Sequence, residues 1–347
     1  METKGSVVSN SNGKPVKKKI LHIGGTWNQI TQLHKIADEL PEYDHFFSPQ
    51  YCDGVLRVFQ RWGWLDFTSP GRPWVARIRQ YIRDHGLQED CGGRTEAYDL
   101  TLITTDLIVP KNILNGKLVL VQEGMTDPEN ILFRMVQQFP SLPRWIASSS
   151  TNGLSNAYDV FCVASAGYRE LFIRKGVQPE KIVVTGIPNF DNCAKYCDNT
   201  FPFHGYVLVC TSDSRETFKI ENRKKFIQQA FQFARGRQLI FKLHPNENIV
   251  RATKEIETYA PGALVFAQGK TEEMVANCDV LITQYSSVVY VGIALGKEVY
   301  SYFDMEMLHR LLPLQHASAA KNIAQVCRQL LEAESMSVPE YSLEMAS

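Results

Sequence analysis

The sequence has no stretch approaching the ~18 consecutive apolar residues of a membrane-spanning helix. It has no surplus of either charge: 37 Lys and Arg stand against 37 Asp and Glu. That balance excludes a nucleic-acid binder working by bulk electrostatics, because such domains are strongly basic. The eight cysteines form no CxxC pair. Cys193 and Cys197 have no His or second pair to complete a zinc set, so no structural metal is expected. Neither GxGxxG nor GxxxxGK[ST] occurs, so a dinucleotide fingerprint and a P-loop are both absent. The first residues contain no apolar core of signal-peptide length. A reduced, cytoplasmic protein fits these absences, with Cys162 and Cys210 as core filler in apolar strands.

What is present is a repeated alternation: a short apolar run, a loop with Gly or Ser, then an amphipathic stretch. The 347 residues suggest two domains. Six runs open the chain, at Lys19–Ile23, Asp44–Phe47, Asp99–Thr104, Lys117–Val121, Asp159–Ala164 and Lys181–Thr185. Five follow, at Tyr206–Cys210, Gln238–Leu243, Ala263–Ala267, Asp279–Thr283 and Glu298–Tyr302. Continuous apolar runs of this length suit strands buried on both faces of a parallel sheet. The expected fold is α/β, with two Rossmann-like lobes whose parallel sheets face a central cleft. Residues 1–18 read as a disordered leader, 19–190 as the N-terminal lobe on the acceptor side, 200–332 as the C-terminal donor lobe, and 333–347 as a tail. The polar stretch near 187–205 reads as the linker, and a helix is expected at about 322–332.

Ligands in open α/β sheets bind beyond the carboxyl ends of strands, so the chemistry is sought there. Gln284–Tyr285–Ser286–Ser287 follows a buried strand, and a helix is expected from about Ser287 to Leu295, with Gly296 ending it. Serines at a helix start either cap it or, with the free amides, hold an anion. His244, at another strand end before Pro245, suits phosphate contact or proton transfer, or simply a turn; Glu247 reads as an acid near the next helix start. Glu123, after the strand at 117–121, is a candidate general base, or a surface acid in a turn. Asp127–Pro128–Glu129 reads as an N-cap, a first-position Pro and a first-turn acid. Gly25, in Gly24–Gly25–Thr26, allows close backbone approach, and Arg215 suits a diphosphate or a salt bridge. Arginines 57, 61, 72, 77, 79 and 83 interleave with Trp62, Trp64 and Trp74, with Asp66 as the one acid. That combination suits either a membrane interface or a solvated helix face.

The stretch Cys278–Asp304 resembles the second lobe of CDP-glycerol glycerophosphotransferases of the teichoic-acid type and related capsule-polysaccharide enzymes. The likeness rests on Asp279–Thr283 leading into Tyr285–Ser286–Ser287, on Gly296–Lys297, on Tyr302–Phe303–Asp304 and on His244–Pro245. Gly186–Ile187–Pro188–Asn189–Phe190–Asp191 is similar to that family's segment between lobes. The resemblance implies a GT-B fold, transfer from a nucleotide-activated donor without metal or cofactor, and a glycan or lipid-linked acceptor. By this match His244, Ser286 and Ser287 contact the donor phosphates. Two positions depart from the pattern: Gln284 replaces an Asp, and Glu123–Gly124 stands where the family carries His-Gly. A second resemblance, through Leu243–His244–Pro245–Asn246, is to UDP-N-acetylglucosamine 2-epimerases, although their SerGlyGly loop is replaced by Ser286–Ser287–Val288. The expected function is transfer of a glycosyl or polyol-phosphate group, with Glu123 and His244 catalytic and Gln284, Tyr285, Ser286, Ser287, Arg215 and Gly25 at the donor. A UDP-sugar epimerase or hydrolase and a non-catalytic sugar-nucleotide binder are the alternatives.

Overall fold

The structure, a computed structural model, describes residues 17–66, 68–139, 141–212, 215 and 221–333. The expected leader and tail lie almost wholly outside them. The chain divides into two compact units. Among the described residues, unit 1 holds 17–163, 168–189 and 318–333, and unit 2 holds 164–167 and 190–317.

Unit 1 is a seven-stranded, wholly parallel sheet. Its strands are β1 (Lys19–Gly24), β2 (Asp44–Pro49), β3 (Gln88–Glu89), β4 (Leu100–Ile103), β5 (Lys117–Val121), β6 (Val160–Val163) and β7 (Ile182–Val184), in the order β3-β2-β1-β4-β5-β6-β7. Six of these match the apolar runs. Strand β3 has no apolar signature, because it is a two-residue, solvent-exposed edge. The crossovers carry α1 (Trp27–Asp38), α2 (Gly54–Trp62), α3 (Arg72–Asp84), α4 (Ile131–Gln138) and α5 (Ala166–Lys175), the last beginning in unit 2. Helix α1 shows why the pattern folds this way. The Thr26 hydroxyl accepts from the Gln29 amide as N-cap, and Ile30, Leu33 and Ile36 then form a stripe that is fully buried. Burial of each stabilises the unit by roughly 1.5–3 kcal/mol.

Unit 2 repeats the plan with five parallel strands, β8 (Val207–Cys210), β9 (Leu239–Lys242), β10 (Leu264–Phe266), β11 (Val280–Thr283) and β12 (Glu298–Tyr300), in the order β10-β9-β8-β11-β12. The helices are α6 (Arg223–Ala234), α7 (Ile249–Tyr259), α8 (Thr271–Asn277), α9 (Val289–Ala294) and α10 (Met305–Leu311). Val207 and Val209 face one core with Phe226 and Phe241, while Leu208 faces the other with Ile240 and Leu281. The two-residue period of β8 thus feeds both faces of the sheet.

Two boundaries differ from the sequence reading. The stretch at 187–205 is not a bare linker, since Phe190, Cys193, Tyr196, Phe201 and Phe203 pack into the second of those cores. The last helix, α11 (Ala319–Glu332), belongs to unit 1 rather than to the second lobe. Its stripe of Ile323, Cys327, Leu330 and Leu331 joins Ile20, Leu100 and Val119 in one cluster. Lys117 and Lys18 donate to the carbonyls of Leu330 and Leu331 at 2.5 and 2.6 Å, satisfying acceptors that a helix end leaves open.

Candidate functional site

In unit 2, three neighbouring strands, β9, β8 and β11, end side by side, and a buried polar network ties their loops together. Glu247 is at its centre. Arg223 of α6 donates to Glu247 Oε1 at 2.6 Å. The Thr211 hydroxyl, after β8, and the His244 backbone amide, after β9, both donate to Glu247 Oε2, the latter at 2.9 Å. Arg223 also donates to the Ser212 carbonyl at 2.8 Å and pairs with Glu221 at 2.9 Å. The Arg223 and Glu247 side chains are 5% and 0% exposed, so this charge cluster is sealed from water. Ser212 extends the network by donating to Gln284 Oε1, and Ser301 donates to the Gln284 carbonyl, both at 2.8 Å. Glu247 lies at the next helix start, as its sequence position suggests, but its carboxylate does not cap that helix. Asn248, the next residue, is the N-cap of α7, accepting from the Arg251 amide.

This framework fixes the main chain at His244 and at Gln284–Ser287 while leaving their neighbours accessible. Gln284 is 3% exposed, whereas Tyr285 is 57% exposed. The Tyr285 ring meets Tyr302 and Phe303 edge-on, with centroids 5.5 and 5.1 Å away. Ser286 and Ser287 are half-buried, as is His244. The His244 Nδ1 accepts from the Asn246 amide at 3.3 Å, so a neutral ring carries its proton on Nε2. Helix α9 opens at Val289, two residues later than the sequence suggests, because Ser286 makes a turn first. Its hydroxyl accepts from the Val288 amide, and its carbonyl from that of Val289. The helix closes as expected at Gly296, φ +65°, with the Lys297 amide bonded to the Gly292 carbonyl and that of Gly296 to Ile293. Arg215 lies against α7. It makes a two-pronged ion pair with Glu255 of α7, 2.8 Å on each prong, and holds that carboxyl below its usual range. Its neighbours Ser214 and Glu216 lie outside the described residues.

In unit 1, Glu123 follows β5. Thr26 donates to its Oε1 at 3.0 Å and the Gln29 side chain to its Oε2 at 2.7 Å. Burial raises the Glu123 carboxyl above the usual carboxylate range, and the two hydrogen bonds oppose that rise. Gly25 enters differently from expectation. Its amide donates to the Gln29 side chain at 2.6 Å, and an added Cβ would meet Gln50 Oε1 at 2.4 Å. The Gly-Gly-Thr turn therefore holds Gln29, which holds Glu123. Beside Glu123 lies a cavity of about 40 Å³ bordered by Thr104, Thr126, Ser149 and Asn152.

Lys175, at the end of α5, lies behind this region; in the sequence it reads as an ordinary cation in a last turn. It is 4% exposed, donates to the Ser150 carbonyl at 3.0 Å and stands 5.5 and 5.9 Å from the Phe133 and Phe172 ring centroids. Burial brings its ammonium down to about 8. Asp127 is not a helix cap. It accepts from the Ser148 and Ser149 hydroxyls at 2.8 Å, and α4 is capped by Asn130. Glu129 accordingly lies before α4 and pairs with Arg174. Among the described residues no cluster of three or more His, Cys, Asp or Glu could hold a metal, and no helix is long and apolar enough to cross a membrane.

No protein-family model and no curated protein sequence matches the chain. Solved structures do. A Staphylococcus aureus MnaA–UDP complex aligns with a TM-score of 0.56 at 10% identity, covering 94% of this chain and 100% of that one. The Neisseria meningitidis UDP-GlcNAc 2-epimerase bound to UDP-GlcNAc gives 0.54 at 11% identity, covering 90% and 100%. A variant of the wall teichoic acid polymerase TagF gives 0.53 at 11%, covering 92% and 90%. At such identities the likeness establishes the fold, an α/β architecture of two parallel sheets of GT-B type, and leaves the reaction to be argued from the residues.

Proposed function

We propose that the protein is a nucleotide-dependent transferase, moving a glycosyl or polyol-phosphate group from an activated donor to a hydroxyl-bearing glycan or lipid-linked acceptor. The observation that carries this reading is the tied strand-end edge of unit 2. A buried ionic network holds three loops in place, and the accessible groups on them are two hydroxyls, an imidazole and a tyrosine. These are donors and a stacking surface, suited to a phosphate and a base or sugar. Ser286 and Ser287 hold the donor phosphate, and the His244 Nε2–H offsets charge growing on the leaving nucleotide. Tyr285 offers its exposed ring to the base or sugar and Gln284 holds the loop beneath it; Gly25 and Arg215 act indirectly, through Gln29 and Glu255. In unit 1, Glu123 takes the acceptor proton. A carboxylate whose proton affinity is raised by burial is a better base near neutral pH. The reading calls for no cofactor, since the activated donor is itself a substrate.

A thermal-shift screen against CDP-, UDP-, GDP- and CMP-linked compounds tests donor binding, because a ligand of the folded state raises its melting temperature. The double substitution Ser286→Ala, Ser287→Ala should weaken the responding nucleotide about tenfold or more, two lost hydrogen bonds to a charged group. Unchanged affinity would remove the phosphate site. Glu123→Gln should cut turnover about 10²-fold or more while nucleotide affinity survives; near-normal turnover would remove the assigned base. A second reading, sugar-nucleotide epimerisation, draws on the likeness to the two UDP-bound structures. Conversion of UDP-GlcNAc with no acceptor present would favour it over transfer.

A further inference from the structure

Helix α2 is amphipathic in the inverted sense. Its polar residues Arg57 and Gln60 border a cavity of about 190 Å³, which Tyr51 and Arg94 also line, and Gln60 donates to the Pro70 carbonyl at 2.6 Å. Its apolar residues recur at helical spacing on the other side: Val55, Val58 and Trp62 are 68%, 41% and 63% exposed. No residue of α2 is buried. Trp64, just past the Gly63 cap, is 61% exposed and continues the patch, meeting the Phe59 and Trp62 rings at 5.0 and 5.7 Å. A helix of a water-facing surface normally turns this stripe to the core. Two adjacent exposed tryptophans are uncommon unless something covers them.

The surrounding charge says what the cover is. Arg57 and Arg61 on α2, and Arg72, Arg77 and Arg83 on α3, are exposed, while Asp66 is the one acid between Gly54 and Arg83 and is taken by Arg72. The whole chain has no net charge, so this is a local concentration of one sign. An apolar stripe with indole rings, bordered by cations, matches a bilayer interface. Indoles partition to the headgroup level, and arginines meet anionic headgroups. We infer that α2 and Trp64 dock unit 1 onto an anionic lipid surface, the rings of Trp62 and Trp64 entering the headgroup region. The argument is independent of the transfer reaction proposed above.

The test is flotation of the full chain with vesicles. Binding is expected to mixed phosphatidylcholine–phosphatidylglycerol vesicles, to weaken steeply with added salt, and to be much weaker on phosphatidylcholine alone. Tryptophan emission should shift to the blue on binding. Trp62→Ser with Trp64→Ser should lower partitioning about tenfold or more and abolish that shift. Arg61→Glu with Arg77→Glu should remove the preference for anionic vesicles. All four positions are exposed, and an unchanged melting temperature would confirm folding. Equal partitioning of wild type and the tryptophan variant would overturn the inference. So would sedimentation showing a concentration-dependent dimer that the tryptophan variant alone dissociates, since a second copy would then be the cover.

Discussion

Replacing Arg223 with Met should unfold unit 2 far more readily than any change at its accessible rim. Arg223 is the one cation in a sealed triad, with Glu221 at 2.9 Å and Glu247 at 2.6 Å, and all three side chains are at most 5% exposed. Without it, two carboxylates remain buried without their cation. Breaking a buried ion pair from one side costs about 3–5 kcal/mol. For a unit of this size that lowers the melting transition by roughly 10–20 °C. Glu247→Gln is the graded control. It gives up the charge-assisted bond from Arg223, about 1.5–3 kcal/mol, but keeps an oxygen to accept from Thr211 and the His244 amide. Scanning calorimetry, read together with urea unfolding, should therefore rank wild type above Glu247→Gln and Glu247→Gln above Arg223→Met. An Arg223→Met transition within a few degrees of wild type, or the reverse order of the two variants, would refute the idea that this triad clamps the strand ends.

Two titrations in unit 1 give further checks. The Lys175 ammonium falls from an ordinary 10.5 to about 8 on burial, so the unfolded chain binds the extra proton between those values and stability should rise with pH across that window, by up to ~3 kcal/mol. In Lys175→Met, urea unfolding at a series of pH values should show that rise removed; a rise of the same size would contradict the burial argument. His22, fully buried, bonds His45 at 2.9 Å, and burial pushes His22, His45 and His34 down, with Asp38 opposing at His34 and Asp44 and Glu42 at His45. The unfolded chain therefore takes up protons that the fold refuses, and stability should fall below about pH 6.5 by up to ~1.4 kcal/mol per pH unit for each proton. His22→Leu should flatten that slope by about one proton; an unaltered slope would assign the loss elsewhere.

Most of the strand framework can be read from the residues alone, because strands buried on both faces need uninterrupted apolar runs. The runs at Lys117–Val121 and Asp279–Thr283 become β5 and β11 almost residue for residue. Strand β3 has no such run, because its residues face water. Glu123 and His244 are visible as polar residues at the ends of apolar runs. Arg223, Gln29 and Lys175 are not, since nothing in a local pattern says that a polar side chain will be buried against a partner far along the chain. The stretch at 187–205 hides its aromatic anchors among asparagines and prolines. Glu247 looks like a helix-start acid until the Arg223 guanidinium is seen beside it. Arg215 is a case where residue type suits both a phosphate and a salt bridge, and the pairing with Glu255 is visible only in the structure.

The return of α11 has a consequence for assembly. Unit 1 is written in the sequence as pieces, with unit 2 between them, and its core is completed by side chains that follow unit 2. The bond from Lys117 to the Leu330 carbonyl spans 213 positions. Unit 2 can mature while the earlier sheet still waits with one face bare, its Val119 and Leu100 exposed to whatever else is nearby. Unit 1 therefore closes by capturing a single amphipathic segment, and removal of Ala319–Glu332 would leave the larger sheet, not the one beside it in sequence, unfinished.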